Sequence, residues 1–201
     1  MVPLAGESPK PMKLIAALFA TFAWFTVPAT TSAVLPQEWA VDGLHSSVVF
    51  KVRHADTASF YGCFTKVSGT VSMGDDLSAA KIAITIAADS VDTRDAGRDK
   101  HLKGPDFFDT KQFPDITFSS TKVAKDGDML AVEGELTMRG VKKPLSVKVS
   151  RGGNDQKAGF ETTFTVKRSD FGINYGLAKN GIGDEVTLMI SLECAPPKAA
   201  K

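Results

Sequence analysis

The chain has 201 residues, 43% of them apolar, and carries 24 Lys and Arg against 23 Asp and Glu. That balance argues against a nucleic-acid partner, which needs a basic face. It also gives no electrostatic pull toward anionic lipid, which leaves a membrane only as a source of lipid.

Lys10 and Lys13 precede an apolar run, Leu14–Val27, and the small residues Ala29–Ala33 follow Pro28. A charged start, an apolar stretch and a small-residue site make a secretory signal. The run falls short of the roughly 20 apolar residues that span a bilayer as a helix. No cysteine lies near the site, which argues against a lipoprotein anchor, and no arginine pair precedes the run. The expected organisation is a signal peptide over 1–33 and one domain over 34–201, exported to the periplasm. A start at Met12 gives a tidier signal, so the sequence leaves Met1 and Met12 both open as the start.

After residue 34 the apolar period is two, the signature of strands. Val48, Phe50 and Val52 alternate with Val49, Lys51 and Arg53. The stretch Phe60–Met73 is a second, less regular strand. Ile82, Ile84 and Ile86 mark a third. Ala88–Asp115 is the one long connection, and it contains an unusual segment. Arg98–Gly104 is expected to form a short helix, stopped by Gly104 and Pro105. Phe107, Phe108 and Phe113 then put three rings into charged surroundings. A solvated loop has no use for them, so they cap something apolar: a core, or a ligand cavity under a helical lid near 98–109.

Ile116, Phe118 and Ser120 return the chain to a strand. Leu130, Val132 and Leu136 form the next, across the hairpin signal Lys125–Asp128. Gly140–Pro144 is expected to bend into the sixth strand, with Leu145, Val147 and Val149. Gly152–Asp155 leads to the seventh, with Phe160, Phe164 and Val166. The Gly-rich piece Gly172–Gly183 sits between strands, so it is a flexible rim and not a phosphate loop. Val186, Leu188, Ile190 and Leu192 form the last strand.

About eight strands joined by short hairpins make an all-β fold with antiparallel neighbours. One sheet closed into a barrel and two packed sheets both satisfy the pattern. In a barrel, one face of each strand lines the lumen. That face carries Val48, Phe50, Val52, Ile82, Ile84, Phe118, Leu136, Phe164, Leu188 and Ile190, the expected ligand-binding wall. His54 ends such a face and is placed to touch a polar headgroup at a mouth. His101, Phe107 and Phe108 belong to the lid.

Cys63 and Cys194, the only two cysteines, are expected at opposite ends of a barrel and therefore unpaired. The three histidines, His45, His54 and His101, have no ligand spacing, so no metal and no cofactor are expected. No nucleophile elbow, Cys–His pair or His-Glu-x-x-His is present, and no catalytic residue is assigned. An enzyme acting on a lipid or quinone headgroup, with or without metal or haem, stands as the alternative. It requires His45, His54, His101 and Asp99 to meet at one mouth.

The chain resembles a known family over nearly all of 34–201. Trp39-Ala-Val-Asp42-Gly-Leu-His45-Ser46, Ser90-Val-Asp-Thr93 and Arg98-Asp99-Lys-His101-Leu102 are similar to segments of the YceI-like, lipocalin-like polyisoprenoid-binding proteins of bacteria. So are Asp106-Phe107-Phe108-Asp109, Gly140-Val141-Lys-Lys-Pro144 and Arg168-Ser-Asp170-Phe171-Gly172. The resemblance implies an eight-stranded antiparallel barrel with an isoprenoid chain in its lumen. It also implies periplasmic or secreted proteins, often homodimers, that serve as carriers or stress-related proteins without an established reaction.

Overall fold

The alternating segments become strands because each then turns one apolar face inward. The computed structural model describes residues 36–154, 156–177 and 181–197; the expected leader, 1–33, lies outside them. The strands are β1 (Gln37–Val41), β2 (Ser47–His54), β3 (Ala58–Phe64), β4 (Val67–Met73), β5 (Lys81–Ala87) and β6 (Val91–Asp92). They continue with β7 (Asp115–Asp126), β8 (Met129–Met138), β9 (Val141–Gly153), β10 (Ala158–Lys167) and β11 (Ile182–Ala195). Among the described residues one α-helix, α1 (Ala96–Leu102), lies between β6 and β7.

These segments form eight staves. The pairs β1/β2, β3/β4 and β5/β6 are each one strand with an interruption. Every neighbouring pair is antiparallel, and β11 returns to both β1 and β2, which closes the barrel. The interruptions are stitched by polar side chains. Between β1 and β2, the Ser46 hydroxyl donates to Asp42 O and accepts from the Glu193 N–H on β11. Between β3 and β4, the Ser90 hydroxyl accepts from the Lys66 N–H at 3.1 Å.

Four expectations are corrected. The first stave begins at β1, where Trp39 is 2% exposed, and not at Val48. The helix starts at Ala96 because Asp95 caps it, its carboxylate accepting from the Arg98 N–H at 2.7 Å. The bend after β8 is only Arg139-Gly140, both with positive φ, as a tight two-residue hairpin demands. Pro144 therefore lies inside β9, opposite Glu135. A proline is tolerated there because β9 pairs with β10 only over Ser150–Gly153, leaving an edge without ladder bonds at its height.

The fourth correction concerns the cysteines. Cys63 lies opposite Val49, and Val49 opposite Met189, so Cys63 sits at the middle of its stave, whereas Cys194 is at the end of β11. They remain unbonded for a different reason. Cys194 is on the inward face with Leu192, whereas Cys63 alternates with inward Phe64 and points outward.

The inner face is not uniform along the barrel axis. Trp39, Val71, Val132, Phe160 and Cys194 are fully buried and close one end. Toward the other end Leu145, Val147, Phe164, Val166, Leu188 and Ile190 are only partly buried, although they point inward. Apolar side chains half-exposed on an inner face mean an open lumen.

Candidate functional site

The lumen is a single cavity of about 540 Å³. Its wall contains every residue expected there. β2 contributes Val48, Phe50 and Val52, and β5 Ile82 and Ile84. Phe118 and Leu136 come from β7 and β8, and Phe164, Leu188 and Ile190 from β10 and β11. Val71, Val132 and Phe160 form the floor.

The β2–β3 hairpin, α1 with the turns after it, the β8–β9 turn and residues 168–177 gather at the mouth. Of the three lid rings, Phe107 and Phe108 line the cavity. Phe113 does not; it packs under the β8–β9 turn, where a Cβ on Gly140 would meet it at 2.7 Å. Phe108 stands edge-on to Phe64 at 5.4 Å, and Phe64 tilts against Phe50 at 5.8 Å. This file of rings carries the lid's packing down into the wall.

A second group latches the lid to residues 172–175. Tyr175 packs on His101 at 4.8 Å and on Phe107 at 5.3 Å. Arg139 donates to Gly172 O and Pro105 O, bridging the same two segments. His101 also hydrogen-bonds Asp106 at 2.9 Å. His54 and His101 both line the cavity, so two histidines reach the mouth. His45 does not. It precedes β2, whereas His54 ends it, so the length of that strand separates them.

His45 instead joins Asp42 and Glu193 near the closed end, with one ligand atom from each within 4.8 Å of the others. These groups are already engaged. His45 Nδ1 is 2.8 Å from Asp42 Oδ2, and the Lys157 ammonium holds Glu193. His45 and the Leu44 N–H keep the Asp42 carboxyl below its usual range. The hydrogen bond to Glu193 raises the Lys157 ammonium.

Sequence reading missed the arginines of the mouth. Arg98 and Arg168 both line the cavity. Arg98 reaches back to Thr93 and stacks over the Phe60 ring at 4.2 Å. The Thr93 hydroxyl and N–H in turn donate to Asp99, so Asp99 is spent on the lid. Arg168 is 5% exposed, and burial lowers its guanidinium from the usual range, with the Asp184 charge opposing. Burial raises Asp184, but the Ser169 N–H and hydroxyl and the Arg168 charge outweigh it and hold the carboxyl low. One signal was available: 168 continues the inward parity of 160, 164 and 166, and a charge on an inward position invites a question.

The description of a YceI-like domain matches residues 39–194. Protein YceI of Salmonella newport (strain SL254) is 39% identical over 173 residues, covering 82% of this chain and 90% of that one. The crystal structure of Burkholderia cenocepacia BcnA superposes with a TM-score of 0.72 at 27% identity, over 76% of this chain and 98% of that one. A polyisoprenoid binding domain from Saccharophagus degradans superposes with a TM-score of 0.67, over 82% of this chain and all of that one. Its identity is 16%, so that likeness is one of fold.

Proposed function

Because the chain belongs to the YceI-like family, we propose that it binds a long-chain isoprenoid in the barrel lumen and serves as a periplasmic carrier. The ligand is a polyisoprenoid or an isoprenoid quinone-like lipid, and residues 1–33 export the protein. The observation that carries this reading is the cavity. At about 540 Å³ it has the size of a small-molecule site, and Val, Ile, Leu and Phe form most of its wall. Each five-carbon unit moved from water into such a wall gains roughly 3–4 kcal/mol gross. Association and ordering take back several kcal/mol, so a few units suffice for micromolar binding. The Saccharophagus neighbour, described as polyisoprenoid-binding, supports the same use of this barrel.

The enzyme reading needed four groups at one mouth. His45 lies toward the other end, and Asp99 is held by Thr93. Nothing in the arrangement favours chemistry over binding. The test is mass spectrometry of an organic extract from protein purified out of the periplasm. A stoichiometric isoprenoid is the expected result. Protein that carries no lipid and takes up none when offered overturns the proposal.

A further inference from the structure

The polar groups of the cavity are one-sided in charge. The lining includes the guanidiniums of Arg98 and Arg168 and the imidazoles of His54 and His101, and no Asp or Glu. Arg168 is the informative member. Its Nε, Nη1 and Nη2 donate to the carbonyls of Gly183, Ile173 and Ile182 at 2.8, 2.9 and 2.7 Å. Those bonds tie the turn after β10 to the start of β11, but carbonyls do not neutralise a cation. Among the described residues no carboxylate touches it. Asp184, whose charge acts on it, is turned to the Ser169 N–H and hydroxyl at 2.9 and 2.8 Å.

A buried cation without an ionic partner is a costly arrangement. Such a tie alone does not require it, since neutral donors also bond carbonyls. In an apolar cavity its field is weakly screened. Each of its terminal nitrogens carries a second N–H beyond the one used on these carbonyls. Arg98 repeats the pattern at the rim. Nε and Nη2 donate to Thr93 at 2.8 and 2.7 Å, and Nη1 meets no acceptor among the described residues.

Building on the reading of the lumen as a lipid site, we propose that its ligand ends in an acid group. A phosphate or a carboxylate on a single long apolar chain sits in the field of Arg98 and Arg168. Guanidinium forks match both oxyanions. A neutral alcohol satisfies the spare N–H groups but not the charge, and an amine is repelled.

The test uses protein stripped of bound lipid and three probes of one chain: farnesol, farnesoic acid and farnesyl monophosphate. Each displaces a fluorescent apolar reporter at physiological salt. The acids are expected to bind about tenfold tighter than farnesol or better, and the two acids against each other identify the oxyanion. Arg168→Gln should collapse the acid-to-alcohol ratio. Should that variant fail to fold, Arg98→Gln, at the exposed rim, decides by the same ratio. Arg151→Gln, away from the mouth, should leave the ratio unchanged. Equal binding of all three probes, or a ratio that survives in both mouth variants, overturns the acid headgroup and leaves lipid binding standing. Failure of all three to bind overturns the lipid reading itself.

Discussion

Two glycines set how the aromatic wall is built. At Gly62 a Cβ would meet Phe50 Cζ at 2.3 Å, and at Gly134 it would meet Phe118 Cζ at 2.5 Å and Ser119 O also at 2.5 Å. Each glycine gives up its side chain so that a ring from the adjacent strand lies flat over it. The two should respond differently to alanine. Phe50 can swing into the lumen, but the buried Thr93 methyl, 2.9 Å from the same Cβ, must shift too, so Gly62→Ala should cost about 2 kcal/mol and weaken lipid binding. Ser119 O is backbone and cannot yield, so Gly134→Ala should cost about 3 kcal/mol. Urea unfolding and lipid titration of both variants check the order. The thiols give a pH prediction. Burial, with Glu193 adding, pushes the Cys194 thiol up to about 11 from the usual 9.0. The unfolded thiol therefore ionises first. Its stabilising contribution is whole below about 9 and is lost as the pH rises toward about 11. The urea midpoint should fall across that window, and Cys194→Ala should flatten the fall. Native protein should label at outward Cys63 alone, and the unfolded, unreduced monomer at both.

Counted as staves, β9 and β10 are the least joined neighbours in the wall. Their ladder stops at Ser150 and Glu161, and beyond it the Thr162 hydroxyl donates to Lys148 O at 2.8 Å in place of backbone pairing. Toward the mouth a seam runs between inward Leu145 and Val147 on one side and Phe164 and Val166 on the other. Hydrogen exchange should find it: alternate amides of β9 between Val141 and Val149 should exchange far faster than those of β8 and β11. Uniform protection across β9 would mean that the seam closes in solution. The seam was not legible in the sequence, although the strands were. Alternation at 48–52, 82–86, 130–136 and 186–192 gave each element and its inward face, because strand period depends only on neighbours two apart. Where a ladder ends depends on both strands, and neither β9 nor β10 encodes that alone. Pro144 was read as a bend because proline breaks ladders; here it stands where one ladder is already absent. β1 was overlooked because Trp39-Ala-Val41 is too short to show a period.

At the scale of the whole barrel, the question is whether the space inside is a binding volume or a loosely filled core. The wall residues were readable from parity. The guanidiniums were harder to read: Arg98 works from a helix on the lid, and Arg168, although it keeps the inward parity of β10, lies in the turn that ends that strand. The axial gradient favours a volume: fully buried residues at the Trp39 end give way to half-exposed inward ones at the mouth. Leu136 separates the alternatives. It is 8% exposed, faces Phe118 and Lys143 across β8, and lines the cavity. Ile84→Asp is a poor test, because a buried carboxylate without a partner damages any interior. Leu136→Trp stays apolar and takes up lumen space. In a binding volume the indole has room, so the variant should melt close to the parent, within the lower part of the roughly 1–3 kcal/mol that overpacking costs. Its affinity for a fluorescent isoprenoid should drop severalfold. In a filled core the same change should destabilise the fold and leave binding elsewhere untouched. Changes at outward Glu133 or Lys148, whose exposed ion pairs contribute little, should do neither. A thermal melt beside the titration reads both quantities, and undiminished affinity in a folded Leu136→Trp barrel would count against binding along that wall.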